Sequence, residues 1–190
     1  MKRDKLDIKY YGDPVLTRVS SKIDSVTEEI RNLSEEMIEV MYQYDGVGLA
    51  ASQVGLNLCL IVLNLSPEHL QGNGLISPGE ALLLPRMPVT LINPEITFSE
   101  SEASTIEEGC LSIPEIYAPV TRPTLITLNA ELLSGEVINV ECEGFLARVL
   151  QHEADHLKGE LFVDKLEQRD HKKIRKKLDK LKKRLTKKQV

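Results

Sequence analysis

Apolar residues recur at Ile30, Leu33, Met37, Val40, Met41 and Tyr44, a helical spacing that predicts a helix over residues 25–45 with one buried face. Ser25-Val-Thr-Glu28 ahead of it has the spacing of a capping box, and Gly46 is expected to end it. The pattern then shortens. Asn57 to Leu65 is an apolar, branched run that predicts a buried strand, with Cys59 as a small core residue. Residues 66–88 carry Pro67, Gly72, Gly74, Pro78, Gly79, Pro85 and Pro88, so a long irregular connection is expected, with Ala81–Leu84 packing on the body. Short strands follow: 89–92 and 95–98 flanking Asn93-Pro94, then 124–132 meeting 137–142 across a Ser134-Gly135 turn. Ile138, Val140 and Cys142 alternate with polar residues, which turns Cys142 toward a core.

A second helix is predicted over 144–158, with Gly159 at its C-terminal cap. Arg148, Gln151, Asp155 and Lys158 form its polar stripe, while Phe145, Val149, His152 and His156 share the opposite side. A third helix, over about 169–188, has Ile174, Leu178, Leu181 and Leu185 as a narrow apolar seam. No internal repeat and no regular βαβ alternation is present. The expected fold is therefore α+β, with antiparallel strands packed around one central helix and a basic helix at the C-terminus.

Length and composition narrow the class. A chain of 190 residues with 42% hydrophobic content fits one globular domain and argues against disorder. No apolar run approaches the ~18–20 residues of a membrane span. The opening Met-Lys-Arg-Asp-Lys-Leu-Asp has positive charge but no apolar stretch, so no signal peptide is expected. Three cysteines, Cys59, Cys110 and Cys142, suggest free thiols in a reducing compartment. The net charge of −5 hides a division: Lys165 to Val190 holds 13 Lys or Arg against three Asp or Glu, a local +10, which leaves −15 for residues 1–164.

Three segments carry chemistry. His152-Glu-Ala-Asp-His156 is H-E-x-x-H on a predicted helix, where i, i+4 spacing puts both imidazoles one turn apart on one side, able to share a divalent metal. Glu153 lies beside them as a candidate base. The bland alternative is two core histidines bonded to backbone with Glu153 at the surface. The position where a metzincin would place its third histidine is Phe162, and no suitable glutamate ligand follows, so a third ligand is sought elsewhere. Glu108-Gly-Cys110-Leu-Ser112 offers a thiolate and a His₂Cys set that leaves a fourth position open; the competing reading of Cys110 is another buried thiol. Gly46-Val-Gly48-Leu-Ala-Ala-Ser-Gln53 suggests backbone in close approach to a ligand or strand, or simply a tight helix-to-strand turn. It lacks the third glycine and the Lys-Ser/Thr of a phosphate loop.

In this order the three segments resemble the peptide deformylases, which carry G-x-G-L-A-A-x-Q, E-G-C-L-S and Q-H-E-x-D-H-L-x-G; Gly46–Gln53, Glu108–Ser112 and Gln151–Gly159 match at every fixed position. Tyr11-Gly-Asp-Pro-Val-Leu16 is similar to the family's N-terminal segment, so the resemblance spans about residues 8–166. Residues 66–88 match no fixed pattern. Tyr117 stands where some bacterial members have Arg, and Arg122-Pro123 is similar to a pair that many members carry near the substrate cleft.

The resemblance implies metal-dependent hydrolysis of the N-formyl group from the initiator methionine of nascent chains, releasing formate. Cys110, His152 and His156 then hold the metal, and Glu153 moves the proton. Gln53 and the backbone N–H of Leu111 serve the developing oxyanion. Val47, Gly48, Phe145 and Val149 are candidates for the methionine pocket, and Asp155 either supports the site from behind or faces solvent. Donor chemistry alone reads as Zn²⁺; the family implies Fe²⁺ in function, with Zn²⁺ or Ni²⁺ in preparations. The expected organisation is a catalytic domain over 1–166 and a basic helix over 167–190 that docks on the ribosome, in a bacterial cytoplasm, with no membrane partner and no sequence-specific nucleic acid. Two other readings share some of these features: a zinc peptidase that cuts internal bonds, and a metal-stapled module that binds RNA.

Overall fold

A computed structural model of the chain describes residues 6–69, 76–98 and 102–186, with side chains to 183. In chain order the helices are α1 (Glu28–Gln43), α2 (Pro78–Leu83), α3 (Gly144–Leu157) and α4 (Gln168–Thr186). The strands are β1 (Gly48–Ala50), β2 (Leu60–Leu63), β3 (Val89–Phe98), β4 (Ala103–Cys110), β5 (Ile113–Pro123), β6 (Leu125–Leu132) and β7 (Val137–Glu143). All strand pairings are antiparallel. A five-stranded sheet has the order β1-β2-β3-β6-β7, and β4 and β5 form a separate hairpin. This is the α+β arrangement that the pattern predicts, with α3 as its central helix.

The main core lies between the five-stranded sheet and α3, and includes Ile61, Leu63, Leu91, Ile126, Leu128, Leu146 and Leu150. On the sheet's other side, α1 contributes Leu33, Met37, Val40 and Met41, packed with Leu60 and Val62. Alternation along β2 explains both: Ile61 and Leu63 face one layer, Leu60 and Val62 the other. A third cluster joins the hairpin to the C-terminal part of the chain through Ile113, Val120, Phe162, Ile174 and Leu178.

Several sequence expectations are corrected in detail. The α1 cap is Thr27, whose hydroxyl accepts the Ile30 N–H, rather than a Ser25 box. Of the strand expected over 57–65, only Leu60–Leu63 joins the sheet, while Leu58 makes an isolated parallel bridge to Ser21. The two short strands around Asn93-Pro94 are one strand, β3, whose register shifts where Asn93 takes φ +49°. A bulge absorbs the proline without ending the pairing. The connection 66–88 is less irregular than its composition suggests. Ser77 and Glu80 form a reciprocal capping box at the start of α2, and Leu83 is fully buried; residues 70–75, with Gly72 and Gly74, lie outside the described set. Cys142 is buried as expected, whereas Cys59 is half-buried with its thiol donating to the Ser20 carbonyl at 3.4 Å.

The largest correction concerns α3. Its expected polar stripe does not face water: Arg148, Gln151 and Asp155 are buried, and Lys158 alone of the four is exposed. The helix is enclosed on all sides because the β4–β5 hairpin covers the face that the five-stranded sheet leaves open. On α4, Ile174 and Leu178 are buried and Leu181 is partly covered, so the apolar seam docks on the body; the side chain of Leu185 and residues 187–190 lie outside the described set. No helix among the described residues is long and apolar enough to cross a membrane.

Candidate active site and metal centre

The site lies where α3 meets the end of the hairpin and the edge strand β1. A cleft of about 610 Å³ opens here, and its lining includes Val47, Gly48, Gln53, Cys110, Leu111, Phe145, Val149, His152 and Glu153. Of the three proposed metal ligands, only His156 is absent from the lining, because it is 1% exposed beneath the cleft floor.

The helical repeat of α3 brings His152 and His156 together, their rings edge to face with centroids 5.0 Å apart. Cys110, the last residue of β4, reaches them from the hairpin: its Sγ lies 3.3 Å from His156 Nε2. One donor atom from each of Cys110, His152 and His156 falls within 4.8 Å of the others. Thiolate and imidazole ligands of one tetrahedral ion stand about 3.5 Å apart, so the donor set fits a single divalent cation. Phe162, at the position where a metzincin would place a third histidine, instead stacks on His152 with centroids 6.2 Å apart.

The orientation of His152 has a clear cause. Its Nδ1 lies 3.0 Å from Glu108 Oε2, and Glu108 also receives Arg122 through two hydrogen bonds (2.6 and 2.9 Å) and Arg148 through one (2.7 Å). Burial pushes the Glu108 carboxyl up, but the hydrogen bonds and charges of Arg122 and His152 outweigh it and hold it at about 2. The anion fixes the Nδ1 proton and leaves Nε2 as the donor. Arg122 continues to Asp155 Oδ2 at 2.7 Å, and Asp155 continues to Lys165 at 3.3 Å. Arg122 therefore stands next to the cleft without lining it: it braces the ligands from behind, and Asp155 belongs to the same network. His156 is held neutral, since burial and then the neighbouring His152 both lower its affinity for a proton.

Glu153 is the unusual group. It is 4% exposed, and its Oε2 has no hydrogen-bond partner among the described residues. Burial raises its pKa to about 7, with the charges of His152 and Arg122 pulling down and those of Glu108 and Asp155 pushing up. Space for this carboxylate depends on Gly48, where a Cβ would stand 2.5 Å from Glu153 Oε1. The close approach expected of the glycine segment is thus to a side chain of the site itself.

Gln53 is 1% exposed and oriented by its neighbours. Its Oε1 accepts the Ala50 N–H at 2.8 Å, so its Nε2 must point toward Cys110 Sγ and Ser112 Oγ, both at 3.3 Å. Leu111 occupies the turn between β4 and β5, packed over Gly46, where a Cβ would stand 2.9 Å from Leu111 Cδ1. Tyr117 covers Gly109 next to Cys110 and is 65% exposed at the cleft mouth.

The sequence reading missed Arg148 and the supporting role of Glu108. A signal was present: Leu146, Ala147, Leu150, Ala154 and Leu157 form a second apolar side of the helix, away from the histidines, and a helix apolar on more than one side is a buried one whose charges need buried partners.

Comparison with known proteins agrees with this geometry. The polypeptide deformylase family profile matches residues 5–172. A peptide deformylase of Alkalilimnicola ehrlichii is 43% identical over 176 residues, covering 93% of this chain and 90% of its own. One from Thermotoga maritima is 40% identical over 171 residues, covering 90% and 93%. Among solved structures, a plant peptide deformylase superposes with a TM-score of 0.83 at 36% identity, covering 99% of this chain and 95% of its own. The Synechococcus elongatus peptide deformylase in complex with actinonin gives 0.77 at 36%, covering 95% and 88%. Fold, cleft and relatives converge, and the chain belongs to the polypeptide deformylase family.

Proposed function

We propose that this protein hydrolyses the N-formyl group of formyl-methionyl peptides, with Cys110, His152 and His156 holding one divalent cation and Glu153 moving the proton. The observation that carries the reading is the convergence of three ligand atoms within 4.8 Å beside a buried carboxylate oxygen that has no partner among the described residues. When bound, the cation supplies Lewis acidity and lowers the pKa of the water it holds toward neutrality. Glu153, raised to about 7, takes the proton of the attacking water and delivers it to the departing amide nitrogen. The new C–O bond forms first, giving the oxyanion; the C–N bond then breaks as the nitrogen receives the proton from Glu153, leaving formate and a free N-terminal amine. Gln53 Nε2, aimed by Ala50, and the Leu111 N–H donate to the developing oxyanion; losing one such donor typically costs ~10²–10³ in rate. Val47, Gly48, Phe145 and Val149 line the cleft that receives the methionine side chain.

The family resemblance favours Fe²⁺ as the working ion, with Zn²⁺ or Ni²⁺ taking its place in preparations. Residues 1–166 form the catalytic unit. Residues 167–190 extend it with a helix whose exposed Lys172, Lys176 and Lys180 suit docking on ribosomal RNA or protein in a bacterial cytoplasm.

The test is formate release from formyl-Met-Ala-Ser by protein purified without oxygen, with metal content measured alongside. Turnover is expected with the formyl peptide and none with its free-amine counterpart. Cleavage of an internal bond in the latter would instead identify a peptidase. Actinonin, bound in the Synechococcus elongatus structure, is expected to compete with the formyl peptide.

A further inference from the structure

Described residues of the segment between β2 and β3 are anchored to the body on both sides of residues 65–78. At one end the Asn64 N–H donates to the Val47 carbonyl at 2.9 Å, and Val47 lines the cleft. At the other, Leu83 of α2 enters the main core, and Gly79 packs so closely on β7 that a Cβ there would collide with Cys142 Sγ. Three residues beyond Cys142 stands Phe145, half-buried, the aromatic ring at the start of α3 that lines the cleft.

His69 lies between these anchors, in a short helical turn over Pro67–His69. Its ring is stacked on Phe145, centroids 6.0 Å apart and planes 15° from parallel. The imidazole is held in that pose: Nδ1 accepts the Ser66 N–H at 3.0 Å and lies 2.9 Å from Ser66 Oγ. Nδ1 is engaged with Ser66, and the near-parallel planes turn a face of the imidazole, rather than a polar edge, to Phe145.

We propose that His69 is a positioning residue for the methionine pocket, an outer aromatic wall that keeps Phe145 turned into the cleft. This rests on the deformylase reading above and adds to it a specificity element from a segment that none of the defining motifs covers. Phe145 touches a side chain remote from the bond that breaks, so its support acts equally on bound substrate and transition state. Loss of the wall therefore raises KM and leaves kcat in place. Aromatic stacking of this kind corresponds to about 2- to 12-fold in an equilibrium constant. A Phe145 freed to swing outward also enlarges the pocket, so the preference for methionine over bulkier first residues narrows.

The experiment compares the wild-type protein, His69→Ala and His69→Phe on formyl-Met-Ala-Ser and formyl-Phe-Ala-Ser, each with measured metal content. His69→Ala is expected to raise KM for the methionine peptide several-fold at unchanged kcat and to lower the Met-over-Phe ratio of kcat/KM. His69→Phe, which keeps a ring over Phe145, restores both. Unchanged KM and ratio in His69→Ala, or a loss confined to kcat, overturns the wall. Absence of formate release from the wild-type protein would overturn the deformylase reading, and the wall with it; turnover with unaltered KM in His69→Ala overturns the wall alone.

Discussion

Two carboxylates in contact with the same histidine have opposite tasks, and their surroundings set them apart. Glu108 is held at about 2 by arginines and His152; Glu153, enclosed without a hydrogen bond at Oε2, is pushed to about 7. Glu153→Gln keeps the shape and removes the base, so turnover is expected to fall by ~10²–10⁴ while bound metal, measured by elemental analysis, stays at the wild-type level. Glu108 is expected to contribute to the loss of stability in acid. Its carboxyl sits at about 2 when folded against an ordinary 4.5, so its stabilisation is complete above pH 4.5 and is lost as the pH falls toward 2. The difference is worth on the order of 3 kcal/mol. Urea unfolding across pH 2–5 is expected to show that slope in the wild-type protein and a flatter one in Glu108→Gln, which is also less stable at pH 7 because Arg122 and Arg148 stay buried without their anion. Much of this was legible from residue types alone. The pair His152 and His156 follows from one helical turn, and Glu153 from its place between them. The pairing of Glu108 with Arg148 was not, because it joins positions 40 apart in sequence through a hairpin whose placement no local pattern states.

At the scale of elements, the same hairpin explains why α3 was misread. A stripe of Arg148, Gln151 and Asp155 at helical spacing ordinarily faces water; here β4 and β5 close over it, and each charge meets a partner. Periodicity marked α1, α3, α4, β2, β6 and β7 and both halves of β3, but not edge strand β1, the β4–β5 hairpin or α2, and the bulge that joins the two strands expected around Asn93-Pro94 is likewise a tertiary effect. Edge strand β1 is three residues long, yet it sets the depth of the site, since its Gly48 leaves the space that Glu153 occupies. Gly48→Ala is expected to displace the carboxylate and lower kcat at least tenfold. Thermal unfolding and metal content, read on the same preparation, should change little, because the added methyl meets the end of a side chain rather than backbone.

For the whole molecule, the division of charge takes a particular form. The basic helix α4 is no detachable tail: Ile174 and Leu178 are buried in the cluster that also holds Leu16, Ile113 and Phe162. Deleting it would expose that cluster and confuse loss of docking with loss of fold. Charge reversal avoids the difficulty. Lys172→Glu, Lys176→Glu and Lys180→Glu together alter exposed positions only, and are expected to abolish salt-sensitive co-sedimentation with ribosomes while formyl-Met-Ala-Ser turnover stays within about twofold. Co-sedimentation equal to wild type at low salt would rule out this helix as the docking element.

The ligands come from two elements, Cys110 from the hairpin and two histidines from the helix, so a bound cation is also a clasp across 41 intervening positions. It is a redundant clasp. Arg148 reaches across the same gap to Glu108, Ser104 and the Val120 carbonyl, and Arg122 on β5 to Asp155 on α3. The frame does not depend on its ion alone: a molecule without the cation keeps these contacts between hairpin and helix and is expected to reload, so loss of metal is a pause in service rather than a loss of the protein. Chelation followed by re-addition of metal should return full turnover without a refolding lag, and hydrogen exchange in β4 and β5 should stay slow throughout the interval.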